Sequence, residues 1–192
     1  MLKKSLSALV IALLGVLPAK EDCKQIKKII APHEVLIKQI STVEQAEQYL
    51  LTQLKYEYDI KNYGEEDYVA SFKVINERRI DDCDGGALAA AALLSDDGYT
   101  PNMLIMKIEH GNNDWSAHAI FVYQEKDLIG CLGINKTDCI RPRFRSLEEV
   151  TMYFKFNEYK LINLNDVAPD WKDCDYNLSD SIRYVGEFKK VQ

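Results

Sequence analysis

The sequence is short of positive charge. Lys and Arg number 24 against 30 Asp and Glu, a formal net charge of −6. That balance argues against nucleic acid as a partner, since binding it calls for a basic patch. Past the first twenty positions there is no apolar run of about eighteen residues, so the body of the chain does not read as membrane-spanning. No two cysteines stand at the C-x2-C spacing that makes a zinc site legible, and the reading includes no metal and no cofactor. Internal repeats and low-complexity segments are missing as well. Histidine is scarce, at three residues: His33, His110 and His118.

What is present is ordinary globular material. The chain has 192 residues, 47% hydrophobic and 28% charged. That suits one domain with a proper core and argues against disorder. The first nineteen residues differ from the rest. Lys3 and Lys4 precede the apolar stretch Leu6–Leu17, and Pro18-Ala19 follows, the layout of a secretory signal. Leu17 departs from the small-residue rule for cleavage after Ala19, so an uncleaved anchor or a buried N-terminal helix is the other reading. The domain expectation is therefore a signal or anchor over 1–19 and a single domain over 20–192. The protein is expected to be secreted or extracytoplasmic, touching a membrane only through that first segment. Five cysteines fit export. An odd count suggests one free thiol plus pairs, with Cys83 left free; Cys131 with Cys139 and Cys23 with Cys174 is one possible pairing.

Residues 81–94, Asp-Asp-Cys-Asp-Gly-Gly-Ala-Leu-Ala-Ala-Ala-Ala-Leu-Leu, organise the reading. The Ala/Leu run predicts a buried helix from about Asp84 to Ser95, stopped by Gly98. Cys83 falls at its start, beside the unpaired N–H groups and the positive end of the helix dipole, a place that favours thiolate. Upstream, a short helix is expected over Cys23–Ile30, an amphipathic one over Thr42–Tyr56, a loop over Ile60–Glu66 and a helix over Tyr68–Arg78. Downstream the period changes. Met103–Ile108, Ala117–Tyr123 and Leu128–Asn135 read as three consecutive strands of an antiparallel sheet. Ser146–Phe156 reads as a helix behind a capping box, Tyr159–Leu164 as a last strand, and the tail from Asn165 as irregular. Helices first and strands after give an α+β order.

A cysteine nucleophile needs a base, and the base an orienting partner. His33 follows Pro32 in a polar junction and looks incidental; His110 ends a strand and should be exposed. His118 lies inside a strand. With Lys126-Asp127 as a two-residue turn, Glu125 pairs with Leu128 and His118 falls opposite Asn135, about 5 Å away at Cβ. Asn135 then orients the imidazole. A slip of one residue undoes this. Asp138 is the alternative orienter, but strand alternation turns it away.

Asp82-Cys83-Asp84 before a small, apolar helix, Ala117-His118-Ala119 on a strand, and an Asn or Asp some seventeen residues after the His resemble the transglutaminase-like cysteine enzymes. The bacterial transglutaminase-like cysteine proteinases, within the papain-like group, are closest in pattern. The resemblance covers roughly Tyr68 to Phe154, with the fold's core expected over about 68–165. It implies a transglutaminase-like or papain-like fold in which a central Cys-bearing helix packs on an antiparallel sheet. It also implies a thiolate–imidazolium pair of Cys83 and His118 with Asn135 as third member, acting on a protein or peptide substrate through a thioester. Asn stands where the family more often has Asp, and Asp82 where it often has Gly. Three functions follow: a peptide or amide hydrolase, a transglutaminase-type amine transfer, or an inactive exported binding module. The aromatic residues, among them Trp115 three positions before His118, suit a peptide groove or a core equally.

Overall fold

The structure, a computed structural model, describes residues 31–111 and 114–191. The expected signal, the Cys23–Ile30 helix and Cys23 itself lie outside the described residues. The architecture is α+β, with seven α-helices and a six-stranded antiparallel sheet among the described residues. No described helix is long and apolar enough to cross a membrane.

The first half is helical. α1 (His33–Gln39) starts directly after Pro32, whose fixed φ suits a helix entrance. α2 (Val43–Gln53) is capped by Thr42, whose side chain accepts from the Gln45 N–H. It ends earlier than its apolar period predicts, because Lys55–Tyr56 is extended as β1. A four-residue helix, α3 (Asp59–Asn62), occupies the expected loop. α4 (Phe72–Arg78) starts at a Ser71 cap and ends at Arg79, which adopts a left-handed backbone (φ 61°). That reversal feeds β2 (Ile80–Asp81), which pairs in parallel with β1.

α5 (Cys83–Leu94) follows at once, with Asp82 as its N-cap. Every residue from Gly85 to Leu94 is buried, so this helix is apolar all round and must sit inside the molecule. A short 3-10 turn, Ser95–Asp97, ends at Gly98 in the left-handed conformation (φ 88°), the stop read from the sequence.

The sheet comprises β3 (Asn102–Gly111), β4 (Asp114–Glu125), β5 (Leu128–Leu132), β6 (Ile140–Phe144), β7 (Glu158–Asn163) and β8 (Lys189–Lys190), in the order β6-β5-β4-β3-β7-β8. Glu125 pairs with Leu128 across a two-residue turn. Lys126 takes φ 56° there, in keeping with the mirror-image turns that such hairpins use. Alternation along the strands sends Met103, Ala119, Phe121 and Leu132 into the core against α5, α2 and α4. The other face carries Leu104, Met106, Ile120, Val122 and Cys131, covered by Val150 of α6 (Leu147–Tyr153). Ser146 caps α6 by accepting from Glu149 N–H. The tail returns over the helices through α7 (Ser179–Arg183), whose last carbonyls at Ile182 and Arg183 accept from the buried Lys160 ammonium of β7.

The suggested Cys131–Cys139 pair does not form: among the described residues both are free thiols, as are Cys83 and Cys174. Cys131 is buried on the α6 face, whereas the Cys139 thiol donates to the carbonyls of Gly133 and Asn135. Cys174 donates to Tyr176 O.

Candidate active site

Cys83 is the first residue of α5. The Asp82 side chain caps the helix by accepting from the Asp84 N–H at 3.2 Å. Upstream, Asp81 is fully buried and accepts from Asp82 N–H (2.9 Å) and from the Tyr63 hydroxyl (2.6 Å). The thiol meets β4 at Ala119, whose backbone N–H points at Sγ. Ala119 follows His118, so the histidine stands one residue along β4 from that contact, its ring against Phe154 and Phe156.

That contact exists because β5 stops. The β4–β5 ladder runs from Glu125↔Leu128 to Phe121↔Leu132 and no further. The turn and register follow the sequence reading, but the extrapolation to His118 opposite Asn135 fails, because the chain leaves the sheet at Gly133. It bends over the start of α5, where a Cβ on Gly86 would fall 2.7 Å from Ile134 Cβ. Asn135 then stands at the N-terminal flank of a 3-10 turn, Lys136–Asp138, without a side-chain bond to it. This turn swings Asp138 back toward the histidine: Asp138 Oδ1 lies 3.4 Å from His118 Nε2. Gly133 makes room for it, since a Cβ there would meet Asp138 Cβ at 2.6 Å. Strand alternation ceases to apply beyond Leu132, and so Asp138 rather than Asn135 stands beside the imidazole.

Asp138 is 4% exposed, and its Oδ2 is buried without a partner among the described residues. The imidazole is flanked by Phe156, nearly parallel at 6.3 Å between ring centroids, and by Phe154, tilted at 5.6 Å. Both follow from the end of α6, where Lys155 takes a left-handed backbone (φ 65°) and Phe156 N–H bonds back to Thr151 O. This is a Schellman-type stop, and it brings two aromatic residues to the histidine.

The electrostatics differ from the expectation of a thiolate. Burial pushes the Cys83 thiol well up, Asp84 and then Asp82 add to this, and Asp138 contributes in the same direction; only the Ala119 N–H opposes them. Burial and the neighbouring carboxylates therefore favour the neutral thiol.

Those carboxylates form a cluster. Oxygens of Asp59, Asp82 and Asp84 lie within 4.8 Å of one another. Asp59, 2% exposed, accepts from Tyr68 N–H through Oδ2 and has Oδ1 buried without a partner; Asp84 Oδ1 is likewise unpartnered. Burial pushes Asp59 up to about 7 and Asp81 up to about 7. It pushes Asp84 well up too, with help from Asp82, Asp81 and Asp59. These are the described residues whose chemistry suits a hard, oxygen-seeking cation.

His110 is exposed as expected, with Nε2 2.8 Å from Ser116 Oγ. His33 has a structural place. It is buried in the first turn of α1, hydrogen-bonded to Asp173 and set edge-on to Phe72. Asp59 went unread in the sequence because nothing local marks it; the β1–β2 ribbon brings it to Cys83.

No family model matches the chain, and no curated protein matches it significantly.

Proposed function

We propose that the protein is a cysteine-dependent acyl-transfer enzyme, a hydrolase of peptide or amide bonds using Cys83, His118 and Asp138. The observation that supports this reading is the contact of His118 with Asp138, one residue along β4 from where Cys83 packs. The Cys83 thiol sits on the Ala119 N–H, His118 is the preceding residue, and a buried carboxylate stands 3.4 Å from His118 Nε2. With Nε2 facing Asp138, Nδ1 is left to handle the thiol proton. The arrangement resembles that of transglutaminase-like and papain-like enzymes, with Asp as third member in place of the Asn135 first expected.

Because burial and the carboxylates push the thiol up, His118 acts as a base during attack. Nδ1 takes the proton as Sγ bonds to the carbonyl carbon. The oxyanion faces the Cys83 N–H at the helix start. Collapse expels the amine, which takes the proton from His118 and leaves a thioester. His118 then removes a proton from water, whose oxygen attacks the acyl carbon; an acid departs and the thiol is restored. Asp138 holds the ring and offsets its transient charge. The basic and apolar start of the chain supports export as part of the same proposal.

The upward push on the thiol favours a second reading, an exported binding module in which Cys83 is inert. Iodoacetamide alkylation across pH separates the two. If the enzyme reading holds, native Cys83 labels below pH 8 and His118→Ala slows labelling by about tenfold or more. If Cys83 reacts only after denaturation, the binding module stands. A glutamine-containing substrate offered with a fluorescent amine then separates hydrolysis from transfer, since only transfer incorporates the label.

A further inference from the structure

Carboxylates bracket Cys83 in the chain and in space. Asp82 precedes it and Asp84 follows it, and oxygens of both lie within 4.8 Å of each other and of an Asp59 oxygen. Asp81 is buried behind them, its carboxylate accepting from Tyr63 and from Asp82 N–H. Among the described residues no lysine or arginine pairs with any of the four. The cations of the neighbourhood are engaged elsewhere: Lys55 with Glu57 at 3.6 Å, Arg183 with Asp67 at 3.3 Å, and Arg78 with the Asn62 side chain at 3.0 Å.

Two oxygens of the cluster are unmatched. Asp59 is 2% exposed, and its Oδ1 has no hydrogen-bond partner among the described residues; Asp84 Oδ1 has none either. Asp59 Oδ2 accepts from Tyr68 N–H at 2.9 Å, which fixes the carboxylate in place. Buried polar atoms are ordinarily bonded, so two orphaned carboxylate oxygens in one cluster call for a cation.

The surroundings say which kind. Tyr56 pairs with Asp81 in the β1–β2 ribbon, and Glu57 N–H extends that ribbon onto Asp81 O at 2.9 Å. After burial, Cys83 and then Asp82 are the largest causes that push the Tyr56 hydroxyl up. Tyr58 stands edge-on to Tyr56, with ring centroids 5.4 Å apart, and is 62% exposed. Carboxylates beside tyrosine rings attract an organic cation through both charge and the ring faces. A bare metal ion would use the oxygens alone and gain nothing from the rings.

We propose that the acyl substrate of this site carries a positive charge beside its reacting carbonyl, on a Lys or Arg side chain, selected by Asp59, Asp82 and Asp84 together with Tyr56 and Tyr58. This rests on the acyl-transfer reading and narrows it, from amides in general to amides flanked by a basic residue. The placement follows from the chain: Asp82 and Asp84 adjoin Cys83 itself, so a group they hold lies close to the bond under attack. The same charges disfavour an acyl group with a carboxylate at that place.

The test labels Cys83 with two chloromethyl ketones, acetyl-Lys and acetyl-norleucine, at pH 8 with a chelator present. The two side chains share a four-carbon stem and differ by an ammonium. The ratio of their rates therefore reads charge separately from thiol reactivity. The lysine reagent is expected to lead by about tenfold at low salt. The lead should shrink toward one at 1 M salt, where the Debye length is about 3 Å. Asp82→Asn, which keeps an oxygen for the helix cap, should lower the low-salt ratio severalfold, and Tyr58→Leu should lower it by less. The salt dependence is read on unaltered protein, so the result stands even if a variant does not fold. A ratio near one at low salt overturns the proposal. So does a lysine lead that 1 M salt leaves intact, or one that neither Asp82→Asn nor Asp84→Asn reduces. Complete failure of native Cys83 to react with iodoacetamide is a different result: it removes the acyl-transfer reading itself.

Discussion

Asp138 Oδ1 lies 3.4 Å from His118 Nε2, and the chain reaches that contact by leaving the sheet at Gly133, two residues before Asn135. The partner of the imidazole is thus a carboxylate, which can offset a positive ring as well as orient it.

From this the first prediction follows. Asp138→Asn lowers Cys83 alkylation at neutral pH by about tenfold or more, because losing the carboxylate beside His118 outweighs the small upward push on the thiol that Asp138 also gives. Asn135→Ala changes the rate little. Equal losses in the two variants, measured by the iodoacetamide rate across pH, would return Asn135 to the site.

Asp82→Asn should make the thiol more reactive. The amide oxygen keeps the cap on the Asp84 N–H, while the negative charge that helps hold the thiol up is removed. The midpoint of Cys83 alkylation against pH moves down. Burial is the largest cause and is unchanged, so the movement is partial. A midpoint that stays in place would remove Asp82 from the causes.

Stability should fall as pH rises through the acidic range. Asp59 and Asp81 are pushed up to about 7 in the folded protein, against about 3.9 for an unperturbed Asp. Between those values the folded state holds protons that the unfolded chain has released, so each unit of pH gained costs stability until both groups ionise. Glu109 and Glu148 are held low by Lys107 and by Tyr159; their contribution is lost only at lower pH, outside this window. Thermal unfolding with a chelator present should show Tm several degrees lower at pH 7.5 than at pH 5. Asp59→Asn should flatten the slope, and an unchanged slope would show that Asp59 does not titrate there.

Gly86→Ala tests the close approach that turns the chain away from β5. Alanine improves helix propensity by up to about 1 kcal/mol. Its Cβ, however, would stand 2.7 Å from Ile134 Cβ and 2.8 Å from the Ile134 backbone nitrogen, and backbone cannot step aside cheaply. A net loss of about 1–3 kcal/mol in denaturant unfolding is expected. A neutral or stabilising result would mean that Ile134 does not press on the helix.

The features legible in the sequence are those fixed by near neighbours. The Ala/Leu run set the extent of α5 to within a residue or two, and Gly98 marked its stop. Counting from Lys126-Asp127 gave the hairpin register, because a two-residue turn leaves little freedom in pairing. The end of β5 was illegible, since Gly133-Ile134 continues the apolar pattern of the strand. Ile134 is buried under Gly86 instead of in the sheet, and hydropathy cannot tell those two burials apart. His33 and Asp59 were missed for a related reason. Each acquires its surroundings from a distant segment, His33 from Asp173 and Asp59 from Asp82 and Asp84, so the chemistry of neither is written in adjacent residues.

The burial of α5 from Gly85 to Leu94 also governs how the protein can fail. A nucleophile on a loop can be lost through local fraying while the rest of a molecule survives. Cys83 instead starts the segment with no solvent-facing side, which cannot open without dissolving the core around it. Displacement of Cys83 and loss of the fold should therefore be one event, with no long-lived intermediate that is folded but has lost the start of α5.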